Sequence, residues 1–425
     1  MQSFDYVIVG SGPCGLAAAF RLLESNSKSS IIIVEKGSTS SGGLRNDCKM
    51  NFTYPIGFTT DNWTKEVGEG YLSTVVDFLK PSIKKIRNLD IYQNRASKLG
   101  CSLLSIKQSH LGTDGGLELI RGLTYRLEQA GVVIQTKCTA GKVKKKEKIL
   151  ETSIGQIRYK KLLFCPGRQG FNYLQDIMQS LDVSFIDNIV DIGVRIETKL
   201  ENYSIVKDYY DPKFYFPEKV RTFCTNSGAA YAVREKYTSK NAQQFYSVNG
   251  HAYSEEKPSN GLVNFAMLKT VNLTQPLASG QRFAEMLGLQ AELLGGGQPL
   301  MQRVGDFRLG KRSKRDTFNK DLYNFEPTLS NCTPGDLSLA MPSKILRSIW
   351  KSMKLLDTII PGILHPSTIM YYPEIKLYAN KPKFINDNFK ISDNIWAAGD
   401  GAGTSRGITA AWASGIRAAD DMIKE

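Results

Sequence analysis

Asp5-Tyr6-Val7-Ile8-Val9-Gly10-Ser11-Gly12-Pro13-Cys14-Gly15 stands near the head of the chain, and its reading decides the fold. Residues 5–9 form a short β-branched, apolar run, of the kind buried on both faces of a parallel sheet. A Gly-x-Gly-x-x-Gly pattern follows without a gap, and Leu16 to Leu23, rich in Ala and Leu, reads as a helix. A second apolar run, Ile31-Ile32-Ile33-Val34, ends in Glu35. This is a βαβ unit with its glycines at the first strand-to-helix turn. Gly10 permits the tight turn, Gly12 lets backbone approach a pyrophosphate, and Gly15 lets helix and strand pack closely. The helix N-terminus, with Ser11 and Pro13 in the turn before it, offers N–H groups and a positive dipole end to phosphate oxygens. Glu35, with Lys36 beside it, stands 25 positions after Gly10, where a carboxylate accepts hydrogen bonds from ribose hydroxyls. Strand, glycine turn, helix, second strand and acid together indicate a dinucleotide site.

Outward from that unit, residues 39–57 are loop-like around Ser41-Gly42-Gly43-Leu44-Arg45, and residues 62–90 look helical. Asp114 to Ala130 is an amphipathic helix, and Gly131-Val132-Val133-Ile134-Gln135 is the strand after it. A Lys-rich segment, Lys142 to Lys148, joins two strands that end in Leu162-Leu163-Phe164-Cys165-Pro166-Gly167. Residues 175–365 mix strand and helix signals without a repeat. The chain then returns to a strand, Asn394 to Ala398, followed by Gly399-Asp400-Gly401-Ala402-Gly403 and a last helix from about Ile408 to Ile423. Two distant segments thus carry strand-then-glycine chemistry. One nucleotide-binding domain interrupted by another accounts for both. The expected fold is α/β, a Rossmann-like domain of residues 1–174 and 366–425 holding an inserted α+β substrate domain of residues 175–365.

The chain has 425 residues, 41% hydrophobic and 23% charged, which excludes disorder as the main state. No stretch approaches the ~18 consecutive apolar residues of a spanning helix, and no membrane partner is expected. The net charge of +14 favours anionic partners: nucleic acid, anionic lipid or a phosphorylated substrate. The alternative is a Lys-rich solvated surface. Seven cysteines, with no CxxC or CxxxxC among them, exclude a zinc ribbon, a thioredoxin-like dithiol and a disulfide reductase. His110, His251 and His365 are too scattered to suggest a metal site. The first strand begins at Phe4, which leaves no room for a signal peptide; the expected location is the cytoplasm.

The paired signatures resemble those of the glutathione-reductase-related, two-domain FAD proteins. Within that group the chain is similar to a large set of uncharacterised bacterial FAD-dependent dehydrogenase-like flavoproteins. The matching segments are Ser109 to Asp114, Asp191 to Arg195, Ser247 to His251, Asn264-Phe265-Ala266, Leu294 to Gly297, Thr333 to Leu337 and Gly399 to Gly407. The resemblance implies FAD as the cofactor, its ADP half on Gly10, Gly12, Gly15 and Glu35. It implies that Asp400, after Gly399, meets the ribityl or pyrophosphate part. The family's Ala-Thr-Gly strand end is Cys165-Pro166-Gly167 here, which keeps Gly167 and leaves the part of Cys165 open. The continuation of the 131–135 strand, around Ala140, lies near the adenine in the family. A longer Gly-rich stretch of the family is shortened to Ser41-Gly42-Gly43, with Leu44 after it, so contacts near the flavin ring differ. Arg406-Gly407-Ile408 is where such proteins aim a helix N-terminus at the flavin's N1/O2 edge.

Further candidates stand beside these. His251, with Tyr253 nearby, reads either as a proton donor or acceptor opposite the flavin or as a hydrogen-bonded structural histidine. His110 precedes Thr113 and Asp114 and reads as part of a helix cap or as a link. Gln302 to Asp316 is densely basic and reads as an anionic-substrate contact or a solvated face. No second Gly-x-Gly-x-x-Gly opens a βα unit, so NAD(P)H enters only as a transient electron donor. The function expected is an FAD-dependent oxidoreductase passing hydride between flavin N5 and a small-molecule substrate. The alternatives are a flavin-dependent RNA-modifying enzyme and a non-catalytic flavoprotein.

Overall fold

The structure, a computed structural model, describes residues 1–40, 43–239, 241–254, 256–319, 323–377 and 380–425. Two compact units emerge: Met1–Ile83, Ile106–Asp187 and Tyr378–Glu425 form the first, Lys84–Ser105 and Asn188–Leu377 the second. The first opens with β1 (Gln2–Val9), α1 (Pro13–Ser25) and β2 (Ile31–Val34). Leu16, Ala17, Ala18, Ala19 and Leu22 of α1 are buried, the small size of the three alanines allowing a close approach, and all four residues of β2 are buried. Next come α2 (Gly112–Gln129), β3 (Val133–Gln135) and β4 (Gly155–Phe164). The Lys-rich segment is the turn of a hairpin, Ala140–Lys144 with Ile149–Thr152, which extends the sheet from the start of β4.

The second unit is built on an antiparallel sheet. Its strands are β5 (Ile189–Lys199), β6 (Val220–Gly228), β7 (Ala230–Thr238), β8 (Gln244–Ala252) and β9 (Leu262–Asn272). Then follow α3 (Gly280–Gly295), β10 (Leu300–Arg303), α4 (Ser343–Ile359) and β11 (Ile369–Leu377). The main sheet runs β10-β11-β5-β9-β6 and continues to Phe214–Phe216 and Ser102–Leu103, while β7 and β8 form a hairpin of their own. Period-2 alternation sends Ile192, Val194 and Ile196 of β5 into the large core with α3 and α4. Asp191, Arg195 and Glu197 take the other face, and all three are buried.

Boundaries therefore differ from the expected ones. Residues 84–105 and 366–377 fold with the second unit, because Ser102–Leu103 pairs with Phe214–Phe216 and β11 is a fully buried central strand. Residues 175–187 stay with the first, whose core takes Leu174, Ile177 and Met178.

The chain re-enters the first unit with β12 (Ile395–Ala397) and α5 (Ile408–Lys424). Its parallel strands lie in the order β12-β4-β1-β2-β3. Register aligns Val34 with Val9, Val9 with Phe164 and Phe164 with Ala397, so four strands end in one row. Successive strands step one way from β1 and then the other, which makes the β1/β4 boundary a topological switch point, where open α/β sheets bind ligands. Among the described residues, no helix is long and apolar enough to cross a membrane.

Candidate dinucleotide site

The turn after β1 is fixed by backbone contact. Gly10 has φ +103°, and a Cβ on it would fall 2.3 Å from the Cys165 carbonyl oxygen; the Cys165 N–H donates to the Val9 carbonyl at 2.7 Å. A Cβ on Gly15 would meet the Gly10 carbonyl oxygen at 2.0 Å. Gly12 differs, since a Cβ there would meet nothing within 4 Å. It is the N-cap of α1, whose start has Pro13, no side-chain cap and no acid in its first turn. A helix end so left presents N–H groups and a positive dipole end to open space.

Glu35, at the end of β2, reaches back to this turn. Its Oε2 accepts from the Ser11 N–H (2.9 Å) and Ser11 Oγ (2.7 Å), and Oε1 accepts from the Gly37 N–H (2.7 Å). The carboxylate is buried, while Lys36 points outward exposed. The Cys138 N–H donates to the Glu35 carbonyl at 2.9 Å, which brings the strand that starts at Ala140 alongside.

At the other end of the row, Asp400 follows β12. Ser405 Oγ donates to its Oδ1 at 2.8 Å, the Gly407 N–H reaches both oxygens at 3.1 Å, and Arg168 Nε lies 3.7 Å from Oδ2. Burial pushes the Asp400 carboxyl above the usual range, only partly offset by Arg168, the Gly407 N–H, Ser405 and Arg406. Arg168 comes directly after Gly167, so this carboxylate ties the end of β4 to the start of α5. The Arg406 N–H is anchored on the Gly57 carbonyl (2.7 Å), and a Cβ on Gly43 would lie 3.2 Å from the Ile408 side chain. The turn Gly43–Asn46, with Leu44 wholly buried, therefore sits at the N-terminus of α5. Gly42 lies outside the described residues. Two hydroxyls here, Ser40 Oγ and Thr409 Oγ1, are buried without a hydrogen-bond partner among the described residues.

Some side chains sit otherwise than expected. Cys165 turns its sulfur inward, 3.1 Å from Cys14 Sγ. The N-cap position of α2 is Leu111, whose side chain cannot cap, with Asp114 in the first turn after it. His110 Nε2 instead meets Asp47 Oδ1 at 2.8 Å, and Lys49 Nζ meets Asp47 Oδ2 at 3.2 Å, in a buried polar trio that sequence reading missed. Burial alone would raise the Asp47 carboxyl, but Lys49 and His110 outweigh it and hold the group well below the usual range. A depressed native value means stability that is full above the unfolded value of about 3.9 and is lost as pH falls through the native one. Between about pH 5 and pH 2, the Asp47→Asn protein should accordingly lose less stability than its parent, read from urea unfolding at stepped pH.

His251 lies on β8 of the second unit, stacked on its cross-strand partner Tyr231 (ring centroids 5.8 Å apart) and edge-on to Tyr253 (5.2 Å). The basic segment splits in two. Arg303 is buried, donating to the Ser367 carbonyl at 2.5 Å among the rings of Phe318, Tyr323 and Phe325, whereas the cations from Arg308 to Arg315 are exposed.

No family model matches the chain, and no curated protein matches it in sequence. Among solved structures it is similar to L-proline dehydrogenase from P. horikoshii, at 9% identity and a TM-score of 0.43, over 99% of this chain and 93% of that one. It is similar to a flavoprotein/dehydrogenase from Cytophaga hutchinsonii, at 11% identity and a TM-score of 0.41, over 100% and 78% of the two chains. Glycine oxidase from Bacillus cereus gives 11% identity and a TM-score of 0.39, over 99% and 94%. All three TM-scores lie below 0.5, and the functional reading rests on the residues of the site.

Proposed function

We propose that the protein is an FAD-dependent oxidoreductase acting on a small molecule. The observation that carries this reading is the span of the first unit's polar groups. Glu35 and Asp400 follow strands three places apart in the row, about 14 Å at ~4.8 Å per strand, with the uncapped start of α1 between them. A carboxylate for a ribose, a helix end for phosphates and a second carboxylate beside another helix start suit an extended dinucleotide better than a mononucleotide. The space before Gly12 and the unpartnered hydroxyls of Ser40 and Thr409 fit such a group.

When bound, FAD supplies the redox chemistry, taking or giving hydride at N5. The chain's part is to bind and orient. The N–H groups at the start of α1 hold phosphate oxygens, Glu35 accepts from ribose hydroxyls, and Asp400 accepts from a hydroxyl at the far end. The start of α5, its dipole positive there, favours negative charge placed before it.

The purified protein is expected to be yellow and to release FAD on denaturation; a mass spectrum showing FMN would overturn the assignment. Glu35→Ala and Asp400→Ala should each weaken FAD binding by about one to two decades, the worth of a charge-assisted hydrogen bond of roughly 1.5–3 kcal/mol. Titration of apo-protein giving unchanged dissociation constants for both would remove the two-ended site. For proton transfer we propose His251. His251→Ala should keep flavin content and fold while removing a pH-dependent step from flavin reduction or reoxidation, followed by stopped flow.

A further inference from the structure

We propose that the second unit docks on an anionic lipid surface through α4 and the turns beside it. On α4, Lys344, Arg347, Lys351 and Lys354 are exposed, and at 100° per residue they occupy one side of the helix. The opposite side, including Ile345, Ile349, Met353 and Leu356, is in the core. Trp350, on the border of the basic side, packs on Phe307 at 4.8 Å, and that contact sets the turn Arg308-Leu309-Gly310 against the helix. After this turn come Lys311, Arg312, Lys314 and Arg315, all exposed.

The turn through Lys311 and Ser313 is tied to Gly335–Leu337, the stretch that precedes α4. Gln302 Nε2 donates to the Lys311 carbonyl (2.8 Å), its Oε1 accepts from the Leu337 N–H (2.9 Å), and the Ser313 N–H donates to the Gly335 carbonyl (3.0 Å). Two leucines stand at the tips of these turns, Leu309 at 69% exposure and Leu339 at 68%. The acids nearby are mostly engaged. Glu218 holds Ser348 and Lys351, Asp306 accepts from Ser313 and Asp336 from Ser338, and Asp316 is exposed.

A cationic face alone would suit nucleic acid equally well. Large aliphatic side chains raised from it decide for lipid, since they enter the headgroup and acyl boundary while lysines and arginines meet anionic headgroups. No spanning helix is needed for such a contact, so it adds a peripheral partner where the sequence suggested no membrane partner.

The purified full chain should sediment with vesicles of phosphatidylcholine and phosphatidylglycerol, and not with phosphatidylcholine alone, and added salt should release it. The combined Lys344→Ala, Arg347→Ala and Lys354→Ala protein should bind these vesicles about a hundred-fold more weakly. Leu309→Ala with Leu339→Ala should cost about tenfold while leaving the salt dependence unchanged. All five positions are exposed, so melting temperatures should stay at the parent value. Failure to bind phosphatidylglycerol vesicles at low salt, or a leucine variant with the parent's vesicle affinity, would overturn the proposal. So would RNA that displaces the protein from vesicles and binds the leucine variant as tightly as the parent, which would reassign the face to nucleic acid.

Discussion

Gly15→Ala is expected to abolish flavin retention and to destabilise the first unit by about 3 kcal/mol or more, at the upper end of what overpacking costs. Its Cβ would sit 2.0 Å from the Gly10 carbonyl oxygen and 3.2 Å from Ile8 Cγ2. Backbone is the nearer obstacle and cannot rotate away, so α1 has to lift off the sheet and carry its N-terminus with it. Gly12→Ala makes the control. With nothing within 4 Å of that Cβ, apo-protein stability should change by no more than about 0.5 kcal/mol. The methyl group would nevertheless occupy the space in front of the helix, and FAD affinity should fall by a decade or more. Thermal melts of the apo-proteins and titration with FAD separate the two outcomes. A Gly12→Ala protein with parental affinity would show that phosphates do not lie where the turn suggests.

Glu374→Ala should be the most damaging single change in the second unit. Arg195 donates from Nε and Nη2 to the two oxygens of Glu374 at 2.7 and 2.6 Å, and both side chains are 0% exposed. Lys376 Nζ lies 3.1 Å from the same carboxylate. Removing it strands buried cations, a loss of about 3–5 kcal/mol, or a fall in melting temperature on the order of 10 °C. Arg195→Met should cost less, because Glu374 keeps Lys376, although Asn264 Oδ1 and the Cys224 carbonyl then lose a donor. Differential scanning calorimetry of both variants checks the order, and equal losses would contradict it.

How much of this was legible from the chain varies with the distance over which each contact forms. The turn from Val9 to Gly15 and the acid at Glu35 are local, so periodicity and spacing gave them nearly whole. Gly399-Asp400 stood out for the same reason. Arg195 was visible only as part of a matching segment, because its partner Glu374 lies 179 positions away and nothing local marks a buried pair. Sequence alone sets Arg303 in a basic stretch, since a charge total cannot tell a guanidinium among three rings from one in water. The Asp47–His110 contact was hidden likewise, for it depends on Lys49–Asn51 pairing with Gln108–His110 across the chain. Residues 84–105 group with the second unit through Ser102–Leu103, a two-residue strand that has almost no pattern of its own.

The order of the strands also bears on how the protein is made. β12 is the neighbour of β4 and α5 packs against α1, yet β12 begins only at Ile395. During synthesis, the glycine turn and Glu35 leave the ribosome long before Asp400 and the start of α5 exist to complete their site. At 5–20 residues per second, roughly 20–80 s separate the two ends. On the proposed reading, cofactor capture is a late event, and a nascent first unit must wait with one flank of its parallel sheet uncovered. Shortage of flavin during growth should consequently show itself in the yield of folded protein, through chains that aggregate or are degraded while waiting.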